Sequence, residues 1–323
     1  MLRLPLRHAL PDFHRERVVV CVWVLMMGWL MSSCGTPLTT KDTAWIPPTL
    51  APTYTATATL IPSATLSPTP THTATATPTE TPTPTSTATA TLVPTPTWAT
   101  IGPGEVTVPI LLYHHIADNE TGNRYYISPA AFEQQMNRLK ELGYETITAS
   151  ELAKVIIHGG NMPPRPVLIT FDDGDLDVFE NAFPILKDLG YVASMYVVSN
   201  YMDQPNFLSA DQLKKLAESG WEIGSHSSNH YDLTVNYGLF YQEMNLSRQY
   251  IEAKVGVKVR TFAYPYGKVD TAVMAKISEF GYLAGMGLGT AVTHSPYTIY
   301  YLSRQEVQST YSMETFLTLL PWK

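Results

Sequence analysis

Two short strings about fifty residues apart carry the chemistry of this chain: Thr170-Phe171-Asp172-Asp173-Gly174 and His226-Ser227-Ser228-Asn229-His230. The first offers two adjacent carboxylates, the second two imidazoles four residues apart. One carboxylate and two imidazoles make a facial ligand set with positions left open for water, which suits a catalytic divalent metal. A second carboxylate beside that set is placed to act as a general base. Either string alone is common, since acidic pairs often close strands and paired histidines often sit on helix surfaces.

The flanking residues say what must hold these groups. Val167-Leu168-Ile169-Thr170 is a continuous apolar run, the pattern of a strand buried on both faces of a parallel sheet. The acidic pair therefore falls at a strand's carboxyl end, where α/β folds place their chemistry. Trp221-Glu222-Ile223-Gly224 is a second short strand and delivers His226 in the same way. Strand and helix signals alternate from residue 104 onward. Val108–Tyr113 reads as a strand, and Ser128-Pro129 opens a helix to Leu142 that Gly143 stops. Helices follow over Ser150–His158, Val178–Leu189 and Ser209–Gly220, with a strand at Ser194–Val198. A long helical stretch, Leu239–Lys254, precedes a strand at Val259–Ala263 and a helix at Thr271–Phe280. Tyr282–Gly287 and Thr298–Val307 read as late strands, and Met313–Leu320 as the last helix. About seven βα units without a glycine-rich nucleotide loop predict an α/β parallel barrel rather than an open dinucleotide-binding sheet.

A third string, Phe262-Ala263-Tyr264-Pro265-Tyr266-Gly267, follows in order. Together the three resemble the polysaccharide deacetylases of carbohydrate esterase family 4, the NodB-homology domain, from about Val108 to about Val307. The resemblance implies a distorted, seven-stranded (β/α) barrel, which the composition of the segment before it sets after a disordered stalk. It implies that Asp173, His226 and His230 hold the metal, and that Asp172 is the base that takes a proton from activated water. Two nitrogens and one oxygen fit Zn2+ best, with Co2+, Ni2+ or Mn2+ able to substitute in an open site. In relatives, the backbone N–H of the tyrosine in Pro-Tyr-Gly helps stabilise the tetrahedral oxyanion, and Tyr266 matches it. Gly267 permits the tight turn. Tyr264 and Tyr266 are candidates to stack on a sugar, with packing at the barrel rim as the alternative. Asp175 and Asp177 read as solvated helix-start acids outside the metal set.

The chain also departs from the better-known members. They often carry Arg just before the Pro-Tyr-Gly string, orienting the catalytic Asp, where this chain has Tyr264. Arg304, in Tyr301-Leu302-Ser303-Arg304, is a candidate to supply the missing charge, or else pairs with a structural acid. Relatives carry a C-terminal Leu-x-His whose imidazole protonates the leaving amine. No histidine follows Tyr297 here, so His294 is the late candidate for that role. Tyr113-His114-His115-Ile116 resembles the first-strand string of the subgroup acting on poly-N-acetylglucosamine. His114 at that strand end is placed to assist proton transfer or to serve as a structural residue.

The first third of the 323 residues is of another kind. Arg3, Arg7, Arg15 and Arg17 precede an apolar run from Val18 to Met31, then Ser32-Ser33-Cys34-Gly35, which is the order of a signal peptide. The run is short against the roughly 20 residues that a bilayer-crossing helix needs. Its end resembles a lipobox, with Met31 where Leu is preferred, so Cys34 is the expected lipidation site and membrane anchor. Simple cleavage and a retained N-terminal anchor are the alternatives, and all three export the head. Residues 35–103 hold 13 of the 25 prolines, interleaved with Thr and Ala, and read as an extended, disordered linker. Cys21 and Cys34 are the only cysteines, so residues 104–323 form no disulfide. They carry 16 Lys and Arg against 24 Asp and Glu, and an acidic domain without a basic patch argues against nucleic acid as partner.

The expected activity is removal of N-acetyl groups from an extracellular or cell-wall polysaccharide. An O-acetyl esterase acting on xylan is the alternative within enzymes, and a glycan-binding head with weakened catalysis the alternative outside them.

Overall fold

The computed structural model describes residues 97–323 apart from Glu120; the leader, Cys34 and most of the proline-rich segment lie outside the described residues. Seven parallel strands close into a barrel: β1 (Ile110–Tyr113), β2 (Pro166–Phe171), β3 (Ser194–Val197), β4 (Glu222–Ser225), β5 (Thr261–Ala263), β6 (Ala284–Leu288) and β7 (Leu302–Glu306). Neighbours in the barrel follow chain order, and β7 returns to β1 with Gln305 opposite Leu111 and Glu306 opposite Leu112. The seam between β4 and β5 is the loosest, registered through Ser225 and Phe262 alone. The barrel is therefore distorted, as expected.

Strand alternation divides the apolar side chains into two sets. Val167, Ile169 and Phe171 of β2 join the cluster under the outer helices, whereas Leu168 joins Ile110, Tyr196, Met286 and Leu302 in a separate inner cluster. All six residues of β2 are buried, which accounts for its unbroken apolar run. Helices α1 (Pro129–Glu141), α3 (Phe183–Asp188), α4 (Ala210–Glu218), α5 (Ser247–Val255), α6 (Thr271–Glu279) and α7 (Met313–Thr318) pack on the outer cluster, whereas α2 (Ala149–His158) gives Leu152, Ala153 and Ile156 to the inner one. Ser128, Thr148, Ser209, Asp270 and Ser312 cap five of them by accepting from backbone N–H groups in the first turn.

Two helices are less regular than their sequences suggest. Val178–Ala182 and Tyr241–Leu246 are π-helical turns that lead into α3 and α5. Each follows one of the two chemical strings, and π turns concentrate near functional sites. At the other end of the chain, Ala99–Ile101 pairs antiparallel with Gly160–Met162. This strand falls within the stretch read as linker.

Candidate active site

The carboxyl ends of the strands bring the predicted residues to one cleft of about 290 Å³. His114 follows β1, Asp172 and Asp173 follow β2, and His226 follows β4. Tyr266 and Gly267 follow β5, and Arg304 enters from β7. Asp173, Ser227, His230 and Tyr266 all have positive φ, as do only two other non-glycine residues among those described. Such backbone states are sparsely populated and gather where the surrounding structure forces them, commonly at functional sites.

Asp173, His226 and His230 meet as a ligand set. The two imidazole Nε2 atoms lie 3.1 Å apart, and Asp173 Oδ1 is 3.5 Å from each. Ligands about 2.1 Å from a tetrahedral centre stand about 3.4 Å from one another, so the spacing fits a divalent metal. The tautomer fits as well. His226 Nδ1 donates to the Ala263 carbonyl at 2.8 Å, which leaves the lone pair on Nε2 facing the set. Burial lowers the pKa of both imidazoles and so favours the neutral, ligating form.

Asp172 is 3 % exposed and borders this set, with Oδ2 3.7 Å from His226 Nε2. Arg304, itself 1 % exposed, donates Nη1 and Nη2 to its two carboxylate oxygens at 2.6 and 2.7 Å. A third guanidinium donor, Nε, reaches the Gly287 carbonyl at 3.2 Å. Burial alone would raise the Asp172 pKa, but the charge and hydrogen bonds of Arg304, helped by His226, lower it to about 2. The positive charge missing before the Pro-Tyr-Gly string thus comes from the last barrel strand.

His114 lines the same cleft, its ring 4.7 Å from that of Tyr125. Burial pulls its pKa down to about 4, partly opposed by Asp172. Tyr266 is 59 % exposed and sets its ring edge-on to His230 at 4.5 Å. Gly267 has φ +65°, and a Cβ there would collide with the Leu288 side chain.

Three expectations need correction. Tyr264 is fully buried and donates its hydroxyl to the Tyr300 carbonyl at 2.6 Å, so it packs the core and cannot stack on a sugar in the cleft. His294 is also buried, 3.0 Å from the Val108 carbonyl at the entry to β1, and does not line the cleft. It is a structural histidine, not the proton donor. Asp175 is not solvated: the Phe207 backbone bridges over it, and burial raises its pKa to about 7. Asp177 accepts from the Ile116 N–H at 3.0 Å and lies 2.8 Å from His115 Nδ1.

Sequence reasoning missed Tyr125 and Glu306, which also line the cleft. Glu306 stands two residues beyond Arg304 on β7, so strand alternation would have put it on the same face once Arg304 was placed. Tyr125 belongs to an irregular segment with no such pattern.

A family model described as polysaccharide deacetylase matches residues 159–285. The Bacillus subtilis (strain 168) protein YxkH, provisionally named a polysaccharide deacetylase, is 28% identical over 213 residues, spanning 65% of this chain and 74% of that one. The poly-β-1,6-N-acetyl-D-glucosamine N-deacetylase of Staphylococcus aureus (strain MRSA252) is 27% identical over 208 residues, 60% of this chain and 71% of its own. The crystal structure of a polysaccharide deacetylase from Bacillus cereus superposes with a TM-score of 0.60 at 27% identity, covering 67% of this chain and 69% of that one. With a closed seven-stranded barrel and the three strings at its carboxyl rim, this chain carries a polysaccharide deacetylase domain of the NodB-homology, carbohydrate esterase 4 family.

Proposed function

We propose that this protein is a zinc-dependent N-deacetylase acting on an extracellular polysaccharide that contains N-acetylglucosamine. One observation carries the reading: three metal-type donors at tetrahedral spacing lie beside a buried carboxylate that an arginine holds ionised. The name of the Staphylococcus aureus relative supports the choice of polymer. A divalent cation held by Asp173, His226 and His230 would polarise the acetamide carbonyl and bring water's pKa near 7.

The remaining steps belong to the chain. Asp172 takes a proton from the attacking water, and Arg304 keeps its carboxylate ionised and fixed in the cleft. The Tyr266 backbone N–H, presented by a left-handed turn, donates to the carbonyl oxygen as it gains charge, a contribution of about 3–4 kcal/mol by comparison with other oxyanion donors. His114, which lines the same cleft, is assigned the delivery of a proton to the leaving nitrogen. Acetate and a free glucosamine amine result.

Cys34 is assigned as the lipidated mature N-terminus, which would hold the protein at the outer face of the membrane. The test of the activity is acetate release by the zinc-loaded protein from N-acetylglucosamine oligomers, with Asp172→Asn alongside. Release by the wild type and almost none by the variant is the expected result. Release from acetylated xylan and not from the oligomers would overturn it in favour of an esterase.

A further inference from the structure

Glu243 is a fully buried acid that the chemistry above does not use. It sits on the π turn Tyr241–Leu246, directly under the string that carries the two imidazoles. Its Oε2 accepts from the backbone N–H groups of Ser228, at 3.0 Å, and Asn229, at 2.8 Å. Its Oε1 accepts from Asn229 Nδ2 at 2.6 Å. Two of the three residues between His226 and His230 therefore hang from one carboxylate. The third, Ser227, has φ +71° and gives its carbonyl to Ser247 Oγ at 2.9 Å, while its own Oγ accepts from the His230 N–H at 2.8 Å. Glu243 and Ser247 are four residues apart, so adjacent turns of one helical stretch grip this loop.

The loop needs such a grip. Ser227 and His230 both have positive φ, and such backbone states persist only where the surroundings over-determine them. His226 is fixed separately, by β4 beneath it and by its bond to Ala263. His230 meets only the loop's own Ser227, the site groups His226 and Asp173 and the facing ring of Tyr266 among the described contacts, while the Ser199 and Asn200 N–H groups steady the Ser227 and Ser228 carbonyls from the other side of the loop. The geometry points to Glu243 as a positioning residue that holds His230 at metal-ligating distance through the Ser228–Asn229 backbone. This rests on the reading of Asp173, His226 and His230 as a metal site. Without the carboxylate, His230 should swing free and leave a two-ligand site. Loss of an outer hydrogen-bond partner of a metal ligand typically weakens affinity 10–100-fold.

The experiment uses the whole protein stripped of metal, with Zn2+ titrated in against a chromophoric chelator, for the wild type and Glu243→Gln. The glutamine keeps the volume but turns an amide NH2 towards donors. The expected result is a cooperatively melting metal-free variant with 10–100-fold weaker zinc binding. Faster exchange of the Ser228 and Asn229 amide protons should accompany it, and excess zinc should restore acetate release. A folded Glu243→Gln that binds zinc as tightly as the wild type overturns the inference. If that variant does not fold, Glu243→Asp decides: it keeps the charge but draws the carboxylate one methylene back from the Ser228 and Asn229 N–H groups, and a several-fold loss of zinc affinity is expected. Unchanged affinity in a folded Glu243→Asp overturns the inference in that case. Failure of the wild type itself to bind zinc would overturn the metal reading beneath it, a separate outcome.

Discussion

Arg304 on the seventh strand grips Asp172 at the end of the second, 132 residues away, with both carboxylate oxygens engaged at 2.6 and 2.7 Å. Both side chains are buried, so neither charge is stable without the other. Barrel closure creates the pair: β7 docks against β1, and β1 against β2, which brings the two rims together.

Arg304→Lys should therefore keep a charge but lose the fork, since an ammonium offers no planar two-pronged donor. Burial would then act on Asp172 with less opposition, and its pKa would rise. The acid limb of the kcat/KM profile should move to higher pH, with kcat at pH 7 lowered. Arg304→Met should go further and destabilise the fold by about 3–5 kcal/mol, the usual result of stranding a buried charge. Profiles of Arg304→Lys and the wild type that superimpose would show that Arg304 does not set the state of Asp172.

The sequence made one half of this pair legible and not the other. Asp172 announced itself because a buried strand ends directly before it. Arg304 stood out only as a late cation, because its partner depends on a closure that no local pattern encodes. The same limit explains the errors. Tyr264 ends a short strand, where alternation cannot say which side faces the core, and His294 drew attention as the last histidine although its segment packs against Val106. Asp175 lies in an acidic run that looks like a helix start, and the loop holding Phe207, distant in sequence, covers it. The two π turns were invisible because helical periodicity does not register one inserted residue. What was read correctly, the seven βα units and the strings at their ends, depends on neighbours in the chain.

His114 can be tested by the leaving group. An amine leaves an amide only when protonated, whereas the nitrophenolate of an activated acetate ester leaves unaided. His114→Gln should lower kcat on N-acetylglucosamine oligomers by about 10²–10⁴-fold, the usual span of general acid–base catalysis. The same variant should hydrolyse nitrophenyl acetate nearly as fast as the wild type. Equal losses on both substrates would assign His114 to holding the site together rather than to proton transfer.

Stability should fall in acid for a specific reason. Asp172 has its pKa depressed to about 2 in the folded protein, against about 3.9 in an unfolded chain. Its contribution is therefore complete above pH 4 and lost as the pH falls from about 4 to about 2; roughly two pKa units correspond to about 2–3 kcal/mol. His226 and His230 act at higher pH with the same sign. Burial lowers their folded pKa values, so the unfolded chain binds more protons, and stability declines as the pH drops below about 6.5. Asp175, its pKa raised to about 7 by burial, opposes the histidine step between pH 7 and pH 4, so urea midpoints of metal-free Asp175→Asn measured from pH 7 to pH 3 should show both steps. Asp172→Asn in the same background should retain the histidine step and lack the lower one; a lower step of the same size in that variant would remove Asp172 as its source.

The turn at Tyr266 separates backbone from side chain. If the oxyanion donor is the backbone N–H, Tyr266→Ala should leave kcat within a few-fold while raising KM, because only the exposed ring is removed. Gly267→Ala should do the reverse. Its φ of +65° is costly for alanine, and the new methyl would meet Leu288, so the turn must shift and carry the N–H with it. Loss of an oxyanion donor lowers kcat by about 10²–10³-fold. Steady-state kinetics on N-acetylglucosamine oligomers distinguish the two patterns. A Tyr266→Ala variant that loses kcat as severely as Gly267→Ala would place the catalytic contribution in the phenol side chain instead.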